Sequence, residues 1–110
     1  MTTEVNTIWD TVSARQLAEV LTAIDDQKAM QNFLRDVMTE KEIIEIGARL
    51  EAAKMLRQGK KYAEVIEKTK LSSRTIARVA EWMQAGAGGY KPVLDRLDEV
   101  HGHIPPVRAV

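Results

Sequence analysis

From Val12 to Leu97, apolar residues return at three- or four-residue intervals, and no stretch of useful length keeps the two-residue rhythm of a strand. That rhythm limits the chain to an all-α fold. Val5, Ile8, Trp9 and Val12 form a first stripe. Ser13 with Gln16 reads as a capping box ahead of Leu17, Val20, Leu21 and Ile24, and the pattern leaves open whether this is one helix or two. Asp25-Asp26 is an N-cap signal for a helix holding Met30, Phe33, Leu34 and Val37. Thr39-Glu40-Lys41-Glu42 is a full capping box, and it starts the longest helix, with Ile43, Ile46, Leu50, Ala53 and Leu56 on one face. Gly59 stands where a left-handed C′ residue ends such a helix, with Lys54 and Arg57 near its negative pole.

Two short helical runs follow. Tyr62 to Thr69 makes about two turns with Val65 and Ile66 inward, and Lys70-Leu71-Ser72 breaks the pattern. Ser72 or Ser73 caps the next helix, which runs to about Ala85 with Ile76, Val79, Ala80 and Met83 as its apolar face. AGAGG, Ala85 to Gly89, stops it, because each interior Gly costs up to about 1 kcal/mol relative to Ala. Pro92 suits the first turn of a last helix, and Pro105-Pro106 lies in a loose tail. A short helix, a three- to four-residue turn and a second helix compose a helix-turn-helix unit.

With 110 residues the chain has room for one ordinary domain. The expected organisation is a single helical domain over 1–100, with dimerisation helices about 8–58, the helix-turn-helix about 62–85, a C-terminal helix about 92–100 and a flexible tail 101–110. So many short, partly two-sided apolar helices favour burial against a second copy, a homodimer. The chain has no cysteine, which removes disulfides and thiolate chemistry and suits the cytoplasm. No apolar run approaches the roughly 20 residues that span a bilayer, and Met1 to Asp10 lacks a signal-peptide pattern, so a soluble, non-membrane protein is expected.

Net charge is zero, but the charges are segregated. Residues 1–53 carry five Lys/Arg against ten Asp/Glu, residues 54–78 eight against two, and residues 79–110 three against four. Local charge decides where phosphates are attracted, and the basic block coincides with the helix-turn-helix. In that geometry the second helix enters the major groove. Once its apolar face is turned inward, the 100° step leaves Ser73, Arg74, Ala77 and Arg78 toward the outer or lateral surface. Arg bonds bidentately to guanine, a Ser hydroxyl serves base or phosphate, and Ala77 leaves room for a thymine methyl. The helix N-terminus at Ser72, Ser73 and Thr75 faces phosphate, while Lys60, Lys61, Lys68 and Lys70 add sequence-independent attraction. Lys70 occupies a turn position where Gly is common, at some conformational cost. Double-stranded DNA is the expected partner.

MTEKEIIEIGARLEAAKMLRQGKKYAEVIEKTKLSSRTIARV, together with the GAGGY element, resembles the Trp repressor superfamily in its YerC/YecD-like branch. The likeness covers roughly Gln16 to Leu97. It implies an all-helical, Trp-repressor-like bundle of about six helices, an intertwined homodimer, and a palindromic operator with half-sites about one DNA turn apart. Members that respond to tryptophan hold it between two arginines; position by position these resemble Arg49 and Arg78, with Thr39 and Thr75 as neighbours. The small residues of that pocket are replaced by Val79 and Trp82, so the resemblance implies a vestigial pocket (Thr39, Arg49, Thr75, Arg78, Val79, Trp82) filled from within, and L-tryptophan is not expected as a cofactor.

Other readings carry less. Arg49 reads as a surface arginine with Glu45 or Glu51 for a partner, Trp9 reads as a core or dimer-interface residue, and Trp82 reads as core. AGAGGYK lacks the phosphate-loop pattern and follows a helix, so it reads as a hinge. His101 and His103 have no third ligand, so no metal is expected, and no catalytic set is apparent. The expectation is a cytoplasmic, non-enzymatic, DNA-binding transcriptional regulator, a repressor; the alternative is a helical protein-interaction module that keeps the fold without specific DNA recognition.

Overall fold

Six α-helices and no strand make up the described residues of the computed structural model, which are 7–102, with side chains through Val100. Val5 and nearly all of the tail read into 101–110 lie outside them. The helices are α1 (Val12–Ala23), α2 (Gln27–Val37), α3 (Glu40–Arg57), α4 (Tyr62–Thr69), α5 (Ser73–Ala85) and α6 (Tyr90–Leu97). A 3-10 turn, Ile8–Asp10, precedes α1, and a π-helical turn, Asp98–Gly102, follows α6. No helix among these residues is long and apolar enough to cross a membrane.

The chain divides into two compact units, Met1–Ile43 and Ile44–Val110. In the first, the chain start departs from the sequence expectation: Ser13 and Gln16 do not cap a helix. Thr7 does, accepting from Trp9 N–H at 3.2 Å while the Asp10 carboxylate accepts from Thr7 N–H at 3.1 Å. A shorter Asp side chain closes this box on a single 3-10 turn, and extended backbone at Thr11 then separates it from α1, so the first stripe is two elements. The Asp26 carboxylate caps α2 by accepting from Ala29 N–H at 2.8 Å. Thr39 and Glu42 form the reciprocal box at the head of α3, with bonds of 3.1 and 2.8 Å.

The second unit holds the core. α3 ends in a Schellman motif: Gly59, at φ 87°, donates to Leu56 O and Lys60 N–H donates to Met55 O, both at 3.0 Å. Ala52 and Ala53, adjacent on α3 and hence about 100° apart, each have zero exposure and face different clusters. Ala52 and Met55 pack with Val65 of α4 and Ile76 of α5, with Leu56, Ile66 and Leu71 at the edge. Ala53 packs with Val79 of α5 and Leu94 of α6, joined by Leu50, Met83, Tyr90 and Leu97. Two alanines in sequence let helices approach α3 on both sides. Each fully buried Val, Ile or Leu side chain in these clusters stabilises by about 1.5–3 kcal/mol.

The expected inner face of α3 is therefore shifted. Ala52 and Met55 join it, whereas Ile46 is 52% exposed.

Candidate nucleic-acid interface

α4 and α5 are held on α3 by the first cluster, and the turn between them is fixed by its own hydrogen bonds. Thr69 Oγ1 donates to Val65 O at 2.7 Å and accepts from Leu71 N–H at 3.3 Å, and half-buried Leu71 plugs into the cluster below. Lys70 closes α4 in the left-handed region, φ 64° and ψ 14°, donating its N–H to Ile66 O at 2.8 Å. Ser72 Oγ then caps α5 by accepting from Thr75 N–H at 3.1 Å. The helix boundaries are those that the apolar rhythm and the Ser72 cap imply.

With Ile76 and Val79 fully buried, α5 turns Ser73, Arg74, Ala77 and Arg78 to solvent, all four of them exposed. The small Ala77 lies between two guanidinium-bearing residues on this face. Thr75 is half-buried, and its hydroxyl accepts a hydrogen bond from Ser72 at 3.1 Å, so those two hydroxyls are engaged with each other. They shape the N-terminus of α5.

The eight cations of residues 54–78 separate into two groups. Lys54 pairs with Glu51 at 3.3 Å, Arg57 with Asp95 at 2.7 Å and also with Asp98, and Lys60 with Glu64 at 3.7 Å. Lys61, Lys68, Lys70, Arg74 and Arg78 have no carboxylate partner among the described residues. Lys54 and Arg57 brace α3 along its own surface and against α6, and Lys60 reaches onto α4; the unpaired ones belong to the helix-turn-helix. Lys60 falls with the first group, at a long and exposed separation that is worth little.

The six residues assigned to a vestigial pocket are not all alike. Thr39 is taken up in the α3 capping box within the first unit. Val79 is fully enclosed by Ala53 and Leu94 and fills the space behind α5. Trp82 is not a core residue: at 42% exposure it forms a wall of an open, mainly apolar groove of about 580 Å³ between α3, α5 and α6. The reason is angular, since Trp82 lies a fifth of a turn away from the Val79 and Met83 direction. Arg49 lines the same groove, its guanidinium bonded to Glu45 at 3.0 Å and its Nε buried without a partner. Arg78 makes no ion pair among the described residues.

Sequence reasoning missed the clasp on α6. The Asp95 carboxylate accepts from Lys91 at 2.9 Å and from Arg57, and these two hydrogen bonds hold its pKa below the ordinary value of 3.8. Lys91 and Asp95 are four apart on one helix and could have been found from that spacing. Arg57 is 38 residues from Asp95 in sequence, and only the fold brings them together. Among the described residues, no cluster of three His, Cys, Asp or Glu side chains has the arrangement of a metal site.

A buried-backed second helix, an ordered turn and an outward basic face are the parts of a helix-turn-helix regulator fold. Residues 13–98 match the family model of the Trp repressor protein, and the chain belongs to that family. It is 34% identical to the uncharacterized protein YerC of Bacillus subtilis (strain 168) over 84 residues, 76% of this chain and 81% of that protein. The fold is similar to the crystal structure of a TrpR-like protein from Eubacterium eligens ATCC 27750, with TM-score 0.78 and 36% identity, covering 84% of this chain and 95% of that one. A Staphylococcus aureus structure assigned provisionally as a Trp repressor gives TM-score 0.76 at 27% identity, over 84% of this chain and 96% of its own. The family is one of regulators and not a class of enzymes.

Proposed function

We propose that the chain is a sequence-specific DNA-binding transcriptional regulator, a repressor acting by occlusion, that grips a palindromic operator as a homodimer in the cytoplasm without L-tryptophan. The observation that carries this reading is the segregation of cations: five Lys and Arg on and around α5 have no carboxylate partner among the described residues, and α5 has a buried inner face and an exposed outer one. A solvated charged surface has no need to leave its helix-turn-helix cations unpaired while neighbouring cations find carboxylates.

Arg74 and Arg78 are the base readers, Ser73 and Ala77 shape the gap between them, and Lys61, Lys68 and Lys70 hold phosphate. Three phosphate contacts per protomer give a log K against log salt slope of about −5 for a dimer. Tryptophan independence is supported by Val79, a buried branched side chain where the resemblance has a small residue, although Trp82 does not fill the groove it shares with Arg49. Saturable thermal stabilisation by L-tryptophan would end that part of the proposal.

The deciding experiment is unbiased selection of bound duplexes followed by a salt titration. A two-fold symmetric consensus with a steep salt slope is the expected result. Weak, sequence-blind binding would instead favour a helical protein-interaction module. Within the bound complex, Arg74→Ala is expected to relax discrimination at one base pair per half-site by about 1–3 kcal/mol, whereas Lys61→Ala weakens all sequences alike. Equal effects on specificity would overturn the division into reader and positioner.

A further inference from the structure

Three residues in the described chain hold a left-handed backbone: Gly59 at φ 87°, Gly88 at φ 87° and Lys70 at φ 64°. Glycine takes this conformation freely, while a residue with a Cβ is strained in it. The chain therefore uses the unstrained residue at two such positions and a strained one at the third, next to α5.

Nothing in the fold offsets the strain at Lys70. Its side chain is exposed, it has no part in either apolar cluster, and its ammonium has no carboxylate partner among the described residues. Its one structural bond, N–H to Ile66 O at 2.8 Å, is made by the backbone and would be made as well by glycine. The favourable effect of a cation at the C-terminal end of α4 is already supplied by Lys68 in the last turn. Strain kept without structural return belongs to function.

We infer that Lys70 is a strained positioning residue whose ammonium holds a DNA phosphate beside the turn, so that conformational stability and DNA affinity oppose each other at this one position. The inference rests on the DNA-binding reading above. It adds to that reading a distinct prediction: the residue best for the fold at position 70 is the worst for binding.

The test compares the full chain with Lys70→Gly, Lys70→Asn and Lys70→Arg, by thermal unfolding and by titration of a mixed-sequence duplex at several salt concentrations. Lys70→Gly is expected to unfold a few degrees higher. It should also bind more weakly on the order of sixtyfold at 0.1 M salt, with a slope shallower by about 1.8, the loss of one counterion-releasing contact in each of two protomers. Lys70→Asn, which tolerates the left-handed region without a charge, should match Lys70→Gly in binding. Lys70→Arg should restore affinity and slope while keeping the lower stability. Unchanged affinity and slope in Lys70→Gly would overturn the inference, and so would a lower unfolding temperature, which would mean that the charge serves the fold. Absence of salt-dependent binding by the unsubstituted chain would mark failure of the DNA-binding reading itself, a different result in a different arm.

Discussion

The first unit and the second contain similar helices and comparable fractions of apolar residues, yet among the described residues only the second has a core. Val65, Ile76, Val79 and Leu94 have exposures of 1% or less, while no residue of the 3-10 turn, α1 or α2 is buried. Trp9 is 51% exposed, and Ile8, Val12, Leu17, Val20 and Val37 are exposed as well. What separates the units is the means of holding a helix. The 3-10 turn, α2 and the head of α3 are specified by side-chain caps, and α1 by amphipathic pattern alone; α4, α5 and α6 are specified by burial on Ala52 and Ala53. An isolated helix of about a dozen residues is marginal in water, so the first unit is short of apolar burial within its own chain. That shortfall is the physical ground for expecting a second copy.

The contrast between the units is probed most strongly in their apolar residues. Ile76→Ala is expected to cost about 2–5 kcal/mol, because it empties a fully enclosed site at the back of α5. Val20→Ala in α1 should cost under about 1 kcal/mol at dilutions where the chain is a monomer. Its cost should grow with protein concentration, and Trp9→Ser should weaken self-association measured by sedimentation. Equal costs for Ile76→Ala and Val20→Ala at every concentration would mean that the first unit has its own core.

A smaller effect tests how tightly the second unit is closed. A Cβ placed on Gly86 would stand 2.6 Å from the backbone carbonyl oxygen of Trp82, an atom that cannot move aside as a side chain could. Gly86→Ala is therefore expected to cost about 1–3 kcal/mol and to fray the end of α5. Thermal unfolding checks the first, and amide exchange at Met83 to Ala85 the second. If Gly86→Ala were neutral, the end of α5 would be as loosely held as the helices of the first unit.

Much of this division is legible in the sequence, for local reasons. Asp26, Thr39 and Ser72 cap their helices because a side-chain oxygen two or three residues ahead of an N–H is a property of the segment alone. Gly59 ends α3 for the same kind of reason. The inward set Val65, Ile76 and Val79 follows from the 3.6-residue period. Three features resist such a reading. The Ser13 box does not form because α1 already begins at Val12, which places Ser13 inside the helix, while Thr7 and Asp10 cap a separate 3-10 turn ahead of it. Ala52 and Met55 fall outside the expected stripe on α3 because that helix buries two faces, which blurs a single stripe. Trp82 reads as core because its size argues for burial, while its angular position, set by how Val79 seats between Ala53 and Leu94, leaves it on a groove wall.

Capping energy gives the next smaller test, and it belongs to the first unit. Thr39→Ala removes the acceptor for Glu42 N–H and should cost about 1 kcal/mol. Because caps carry more of the order there, the loss should appear as reduced helicity in residues 40–43 at temperatures where α4 and α5 remain protected from exchange. Uniform loss of protection along the whole chain would show the two units to be energetically one.

The smallest effect is electrostatic and has a definite sign. Lys91 first, and then Arg57, hydrogen-bond the Asp95 carboxylate and lower its pKa in the folded state below 3.8. A carboxyl with a depressed folded-state pKa contributes stability above its unfolded pKa and loses that contribution as pH falls through the folded value. Asp95→Asn should therefore be slightly less stable than the unsubstituted chain from neutral pH down to about pH 5, and the gap should close between there and the lowered pKa. The pair is exposed, so added salt should shrink the gap as well. Since Arg57 lies on α3 and Asp95 on α6, the clasp acts only within the second unit, and helicity of α1 and α2 should not change with pH in this window on its account. A pH-dependent difference between Asp95→Asn and the unsubstituted chain in exchange at α1 or α2 would tie the first unit to the second and remove the contrast between them.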